Sequence, residues 1–353
     1  MFPRILLAFL LLAWLTPFCS TATVHTTAPI EPNGERRFAP AFRIDTTDDL
    51  PVNRGLYRRH YPVSNEARLD LFQSEIEKLG GGYVGVGTDQ NFCFIGLARS
   101  RYAWLMDFDP VVVAINKIHL YFIEISDSYE AYQNLWHPGS LYTSWHLVQE
   151  RFGAHPDFRL FQEAWRVVFF RGQSRVWTRL RNMAFLSGAY GLDCFNTNPG
   201  QFNYVRGLIR AGRVQAVPGD LRGQVTLQEI AKAARALGVK IRVFYPSNAE
   251  DYWRSYGWGF RQSILALPVD KKSLVIRTSA KGGRMAGLGF PAGEIYSSAP
   301  FHYNVQSLKN FQAWLEDNRA YNLPDLLRHA TLENAGFSRL TKDPAEVVTT
   351  YPY

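Results

Sequence analysis

The chain has 353 residues, of which 46% are hydrophobic, 20% charged and 14% aromatic. A chain of this length and apolar content buries a large core, which excludes a disordered chain, a collagen-like repeat and a disulfide-stapled miniprotein. The formal charge of +8 is modest when spread over so many residues and points to no nucleic-acid partner.

The first residues carry the pattern of a secretory signal peptide. Arg4 supplies a positive start, Ile5 to Leu15 is an unbroken apolar run, and Ser20-Thr21-Ala22 offers small residues for cleavage after about Ala22. That run falls short of the roughly 20 residues a membrane span needs; an uncleaved anchor, or lipidation at Cys19, is the alternative processing. No second long apolar stretch follows, so the mature chain is expected to be soluble and to lack a transmembrane span, in a periplasmic or extracellular setting. Loss of Arg4 lowers the basic count from 39 to 38 against 31 acidic residues, a net of +7. Cys93 and Cys194 remain, and either pair or stay as buried free thiols.

Thr23 to about Leu50 is rich in Thr, Pro and charge without periodicity, and reads as an extended, partly disordered lead-in. Leu69, Phe72, Ile76 and Leu79 then mark one helical face that ends in Gly80-Gly81-Gly82, and Tyr83 to Gly87 reads as a buried strand. A helix near Phe92 to Ala98 and a strand from Ala103 to Met106 follow, ending at Asp107. Asp109-Pro110 is a helix start, with Ile115, Ile118, Phe122 and Ile125 as its buried face. The pattern resumes with a strand at Arg213 to Val217, a capping box at Thr226-Leu227-Gln228-Glu229, and a strand at Val239 to Tyr245. A helical segment near Ala249 to Leu267, a strand at Leu274 to Thr278 and a helix at Ser307 to Glu316 complete it.

Alternation of this kind predicts an α/β fold, a Rossmann-like, mostly parallel sheet flanked by helices. From about 127 to 202 the alternation breaks into aromatic-rich loops (NLWHPGSLYTSWH) and an arginine-rich helical region, read as an insertion over one edge or the mouth of the sheet. The expected organisation is a leader over 1–22, a lead-in over 23–55 and a single domain over 56–353 that contains this insertion.

Ligands of such sheets bind at the carboxyl ends of the strands. There the sequence places Gly85-Val86-Gly87, with Asp89 and Gln90 where a third glycine would stand, and Asp107 lies 20 residues beyond Gly87, the spacing of an acid that meets a ribose hydroxyl. The later strands lead into Pro218-Gly219-Asp220 and Tyr245-Pro246-Ser247-Asn248. From about Gly80 to Thr278, outside the insertion, this layout resembles the class I S-adenosylmethionine-dependent methyltransferases, and also a group of exported bacterial proteins that look like methyltransferases by fold. The resemblance implies a methyltransferase-like fold with S-adenosylmethionine as cofactor: Gly85, Gly87 and Asp89 beside its methionine part, Asp107 at the ribose, Asp220 by the adenine, and Ser247 with Asn248 lining the reaction site.

Each of these residues also has a purely structural role open to it. The glycines can serve helix packing, Asp109 a helix cap, Asp220 its own turn, and Ser247 and Asn248 the cap of the following helix. Two function classes therefore stand: a methyltransferase, and a non-catalytic periplasmic or envelope-associated binding module that keeps the fold. Export away from the cytosolic cofactor favours the second. His137 and His146 match no metal-site spacing, so no metal is expected, and Ser187 and Ser279 lack a hydrolase elbow. Arg171, Arg175 and Arg179 recur every four residues and predict a basic stripe on one helix, either solvated or turned to an anionic surface.

Overall fold

The computed structural model describes residues 26–50, 60–280, 288–294, 300–317 and 320–347. The expected leader lies outside the described residues. Among those described, no helix is long and apolar enough to cross a membrane.

Five short apolar runs become β1 (Gly82–Gly85), β2 (Tyr102–Asp107), β3 (Val214–Pro218), β4 (Ile241–Tyr245) and β5 (Leu274–Ala280). They lie side by side in the order β3-β2-β1-β4-β5 and every pairing among them is parallel. Three more strands extend this into an eight-stranded sheet. They are β6 (Phe301–Ser307), antiparallel to β5, β7 (Thr331–Asn334), and β8 (Phe337–Leu340), which is parallel to β6 and antiparallel to β7.

Helices supply the crossovers that parallel pairing demands. α1 (Gln73–Ile76) continues a 3-10 turn at Leu69–Phe72, α2 (Gln90–Ala98) joins β1 to β2, and α3 (Pro110–Ile125) leaves β2. Asp109 caps α3 by accepting the Val111 amide at 2.9 Å, as its sequence implies. Then come α4 (Tyr129–Leu135), α5 (Leu141–Phe152), α6 (Phe158–Val168), α7 (Arg175–Tyr190) and α8 (Pro199–Arg210), which returns the chain to β3. α9 (Thr226–Ala236) precedes β4, α10 (Trp258–Leu265) precedes β5, and α11 (Leu308–Glu316) and α12 (Leu323–Leu327) follow β6. The observed architecture is thus the expected Rossmann-like α/β sheet covered on both faces.

Successive strand residues point to opposite faces, so Tyr83 and Leu105 enter one core with α2, α3 and the insertion, while Val84, Trp104 and Phe244 enter another with α9, α10 and α11. α3 is apolar almost all round because it lies between the sheet and the insertion helices. Its last turn escapes that sandwich, and Ile125, expected on the buried face, is exposed. The run read as aromatic loops is mostly helical: α4 ends at Leu135, Pro138–Ser140 makes one 3-10 turn, and α5 begins at Leu141. Packing overrides the local turn signals there. Trp136 is fully buried, its ring centroid 4.9 Å from Phe122 and 6.1 Å from Trp165, so much of the aromatic surplus is core.

At the far end of the sheet a polar layer is buried. Arg277 and Glu250, both wholly shielded, form an ion pair at 3.0 Å, and the Arg277 guanidinium lies over the Phe311 ring and donates to Gln306 at 2.9 Å. His302 and Ser338 meet beside them at 2.8 Å.

Residues 26–50 lack helix, as expected for the lead-in, but they are packed against the body. Phe42 is fully buried with its ring centroid 4.9 Å from that of Trp104, a placement worth about 1.5–3 kcal/mol. The Gln215 amide group bonds both the amide and the carbonyl of Ile44, at 3.0 and 3.1 Å. This strap is tied by that side chain to β3, the edge strand of the sheet. It also replaces the capping box expected at Thr226–Glu229. The Asp48 carboxylate accepts the amides of Gln224, Val225 and Thr226 at 2.8–3.1 Å, the Thr226 hydroxyl donates to the Pro218 carbonyl, and Glu229 pairs with Lys232. The α9 amino terminus is therefore satisfied by a residue far away in sequence. Asp48→Ala is expected to lower stability by about 1–2 kcal/mol, read as a lower urea midpoint at unchanged slope, whereas Thr226→Ser changes the midpoint little.

Candidate functional site

In a sheet of this order the chain turns in opposite directions from β1 and from β4, and the crevice at their carboxyl ends is the ligand position. The turn after β1 is braced from beneath. The Asn91 side-chain amide donates to the carbonyls of Val86 and Thr88, both at 3.0 Å, and its oxygen accepts the Tyr83 hydroxyl at 2.6 Å. A Cβ on Gly85 would stand 2.2 Å from that same oxygen. Gly87 has φ +84, the left-handed region that favours glycine, and a Cβ there would stand 2.6 Å from Gln90 Nε2. Both glycines are required by the way the first turn of α2 packs on its own strand.

Asp107 closes the turn from the side. Its Oδ2 accepts the Gly87 amide at 3.2 Å and its Oδ1 the Asp109 amide at 2.9 Å. Desolvation pushes its carboxyl up to about 7, against the pull of these backbone donors. The Phe108 amide also donates to it, which leaves about one of the four acceptor sites of a carboxylate unused, and the side chain is partly exposed. Asn116 of α3 donates to the Gly87 carbonyl at 2.8 Å. Asp220 sits at the end of β3, where it accepts the Arg222 amide at 2.9 Å and faces the Arg222 guanidinium at 3.0 Å; its own turn occupies it.

The other half of the crevice is filled. Residues 60–68 cross the strand ends: His60 Nδ1 lies 2.7 Å from Asp109 after β2, the Ser64 amide donates at 2.8 Å to Asp89 after β1, and Glu66 reaches β4 and β5. Glu66 is 1% exposed. It accepts the hydroxyls of Ser247 at 2.6 Å, Thr278 at 2.8 Å and Tyr245. Burial pushes its carboxyl up and the three hydroxyls draw it back down. Ser247 is held at φ +53, a backbone region uncommon for a residue with a side chain. Neither Ser247 nor Asn248 caps the Ala249–Tyr252 turn through its side chain.

Asp89 completes the closure. Its Oδ2 accepts Arg179 Nε of α7 at 2.8 Å, with side-chain exposures of 3% and 9%. The insertion therefore reaches the mouth of the sheet through one arginine. The expected basic stripe does not form: α7 starts at Arg175 behind a Ser174 cap, Arg171 lies before it with φ 53, and Arg179 is buried. A stripe needs all three on one solvated helix, and only Arg175 is exposed on α7.

Glu66 and Arg179 are the residues that sequence reasoning missed as site residues. Glu66 stands in no pattern, and its partners lie 179–212 residues away. Periodicity gave Arg179 a solvent role because it reports spacing and not burial. A separate cavity of about 380 Å³ lies away from the β1–β4 crevice, between the lead-in and the end of β3, lined in part by Arg43, Asp45 and Lys117. Those charges are paired, Arg43 with Asp45 at 2.7 Å and Lys117 with Glu35. Among the described residues no group of three metal-binding side chains gathers.

The sheet order, the crossover helices and the strand-end crevice define a Rossmann-like α/β protein. Residues 61–341 match the model of a family described as a domain of unknown function, DUF7790, and the chain belongs to that family. The matched span begins at the segment that carries Glu66, takes in the insertion and ends after β8. No curated protein matches the sequence.

The buried groups oppose one another in pH. Asp107, pushed up to about 7, holds a proton in the folded state that the unfolded chain releases near pH 4. Its contribution to stability is full below about pH 4 and is lost as pH rises through about 7. His119 and His302, both lowered to about 4 by burial, contribute stability above about pH 6.5 that is lost as pH falls through about 4. Asp107→Asn removes one acidic contribution. Its urea midpoint relative to wild type is therefore expected to rise between about pH 4 and about pH 8; an unchanged difference would show that Asp107 titrates normally.

Proposed function

We propose that this chain is an exported binding module of methyltransferase-like fold, which takes an adenosine-containing ligand such as S-adenosylmethionine or S-adenosylhomocysteine without transferring its methyl group. The strand order β3-β2-β1-β4-β5, the glycine turn and the acid ending β2 support the ligand class. Asp107 keeps an acceptor site for one ribose hydroxyl, and Asp220 lies at the next strand end.

The absence of transfer rests on one observation. Ser247, in the loop where a methyl acceptor would be positioned, gives its hydroxyl to Glu66, which also takes those of Tyr245 and Thr278. A methyltransferase works by orienting an acceptor against the sulfonium methyl. Here a buried side chain of the protein itself occupies the donors that would do so. The competing reading, a methyltransferase whose acceptor displaces residues 60–68, keeps the same cofactor and differs in the role of Ser247.

Calorimetry with S-adenosylmethionine, S-adenosylhomocysteine and adenosine separates these. Binding is expected to be lost in Asp107→Ala, kept in Asp109→Asn because asparagine also caps a helix, and kept in Ser247→Ala. Affinity should rise from about pH 6 to about pH 8, as the Asp107 carboxyl ionises and becomes a stronger acceptor for a ribose hydroxyl. Failure of the folded protein to bind all three ligands would overturn the ligand class. Turnover of S-adenosylmethionine to S-adenosylhomocysteine by the wild type, lost in Ser247→Ala while cofactor binding is kept, would instead favour the enzyme.

Export is supported by the apolar run Ile5 to Leu15 after Arg4. Amino-terminal sequencing of the fractionated protein should start near Thr23 outside the cytosol; a cytosolic chain beginning at Met1 refutes it.

A further inference from the structure

Cys93 lies in α2 and Cys194 in the turn between α7 and α8, 101 residues apart in sequence, with their sulfurs 2.6 Å apart in the core. Both side chains are buried, at 3% and 0% exposure. The backbone on each side is held independently of the sulfurs. Around Cys194, Thr197 Oγ1 accepts the Cys194 amide at 3.2 Å and donates to the Leu192 carbonyl at 2.9 Å, and the Asn198 amide donates to the Cys194 carbonyl at 2.8 Å. Cys93 sits within a regular helix one turn on from Asp89, whose carboxylate is fixed by Ser64 and Arg179.

We infer that Cys93 and Cys194 form a buried disulfide that fastens the helix after the glycine turn to the end of the insertion. Non-bonded heavy atoms rest at about 3.5–4.0 Å, so two thiols held this close repel, whereas a bonded pair relieves the crowding with little backbone movement. A shared metal does not explain the approach, since among the described residues no third ligand joins the pair. The surroundings also tolerate loss of the thiol protons. Cys194 donates to Asn196 Oδ1 at 2.7 Å, but the same oxygen accepts the Ser187 hydroxyl at 3.2 Å and Asn196 donates back to Ser187 at 3.0 Å. Removing the S–H leaves Asn196 satisfied.

The oxidation breaks two S–H bonds and forms one S–S bond. Two electrons and two protons pass to a disulfide-bearing oxidant, which leaves as two thiols. Burial pushes the Cys93 thiol up, so the thiolate that attacks is scarce once the core has closed. The bond therefore forms while the chain folds and is afterwards shielded from small thiols. It closes a loop containing β2, α3 and the insertion through α7, restricting the unfolded chain across that whole stretch.

The test maps cysteines in the full chain folded in a glutathione redox buffer, unfolded in guanidinium with an alkylating reagent and digested without reductant. One linked pair of unlabelled peptides containing Cys93 and Cys194 is expected. Reductant should release both only with denaturant, and peptide identity keeps Cys19 apart. Alkylation of both residues without reductant would overturn the inference, whatever becomes of any variant. As a second measurement, Cys93→Ala and Cys194→Ala should each lower the melting midpoint by roughly 3–8 °C, with no further drop in the double variant and no remaining effect of reduction during unfolding. Additive losses, or a wild type that melts alike oxidised and reduced, would show that the sulfurs act as separate packing groups.

Discussion

Burying a carboxylate costs several kcal/mol unless donors replace the water it loses, and at the strand ends of this sheet two carboxylates are buried side by side. Asp89 is met by the Ser64 amide and the Arg179 guanidinium, and Glu66 by the hydroxyls of Tyr245, Ser247 and Thr278. Neither set of donors comes from one part of the chain. Residues 60–68, the turn after β1, the loop after β4, strand β5 and the insertion helix α7 are all required before both carboxyl groups are satisfied. The geometry of the crevice, including which half is filled and which keeps an unused acceptor site, follows from that requirement.

This explains how much was legible in the sequence. Strands β1 to β5 and the helices beside them announce themselves through signals within a few residues of each other: the Asp109-Pro110 start, the apolar face of α9, the glycines after Leu79. What escaped depends on partners far away. The Thr226–Glu229 pattern is a sound local cap, yet Asp48, 178 residues off, takes the amide. Arg179 has the spacing of a surface arginine and the environment of a core one because Asp89 lies 90 residues earlier. Strand β6 alternates Tyr303 and Val305 with His302, Asn304 and Gln306, a pattern that on its own suggests a half-solvated strand; here the polar side is buried against Arg277 and Ser338.

The candidate site divided in the same way. Gly85, Gly87 and Asp107 were recognisable by spacing, and they do meet at one turn, with the Gly87 amide on the Asp107 carboxylate. Asp220 and Asn248 are at strand ends, as the order of elements requires, but the Asp220 side chain is engaged nearby by Arg222. Spacing located the crevice. It carried no information about Glu66, whose importance comes from three hydroxyl groups that only the folded sheet assembles.

The lead-in strap has a further consequence for the order of assembly. Phe42 and Ile44 are made early, but the surfaces that receive them, Trp104 on β2 and Gln215 on β3, appear much later in the chain. A polypeptide emerging from its amino end carries Phe42 until Trp104 is made 62 residues later, and Ile44 until Gln215 is made, past half the length of the chain. The first described residues thus have no surface to pack on until later parts of the chain exist.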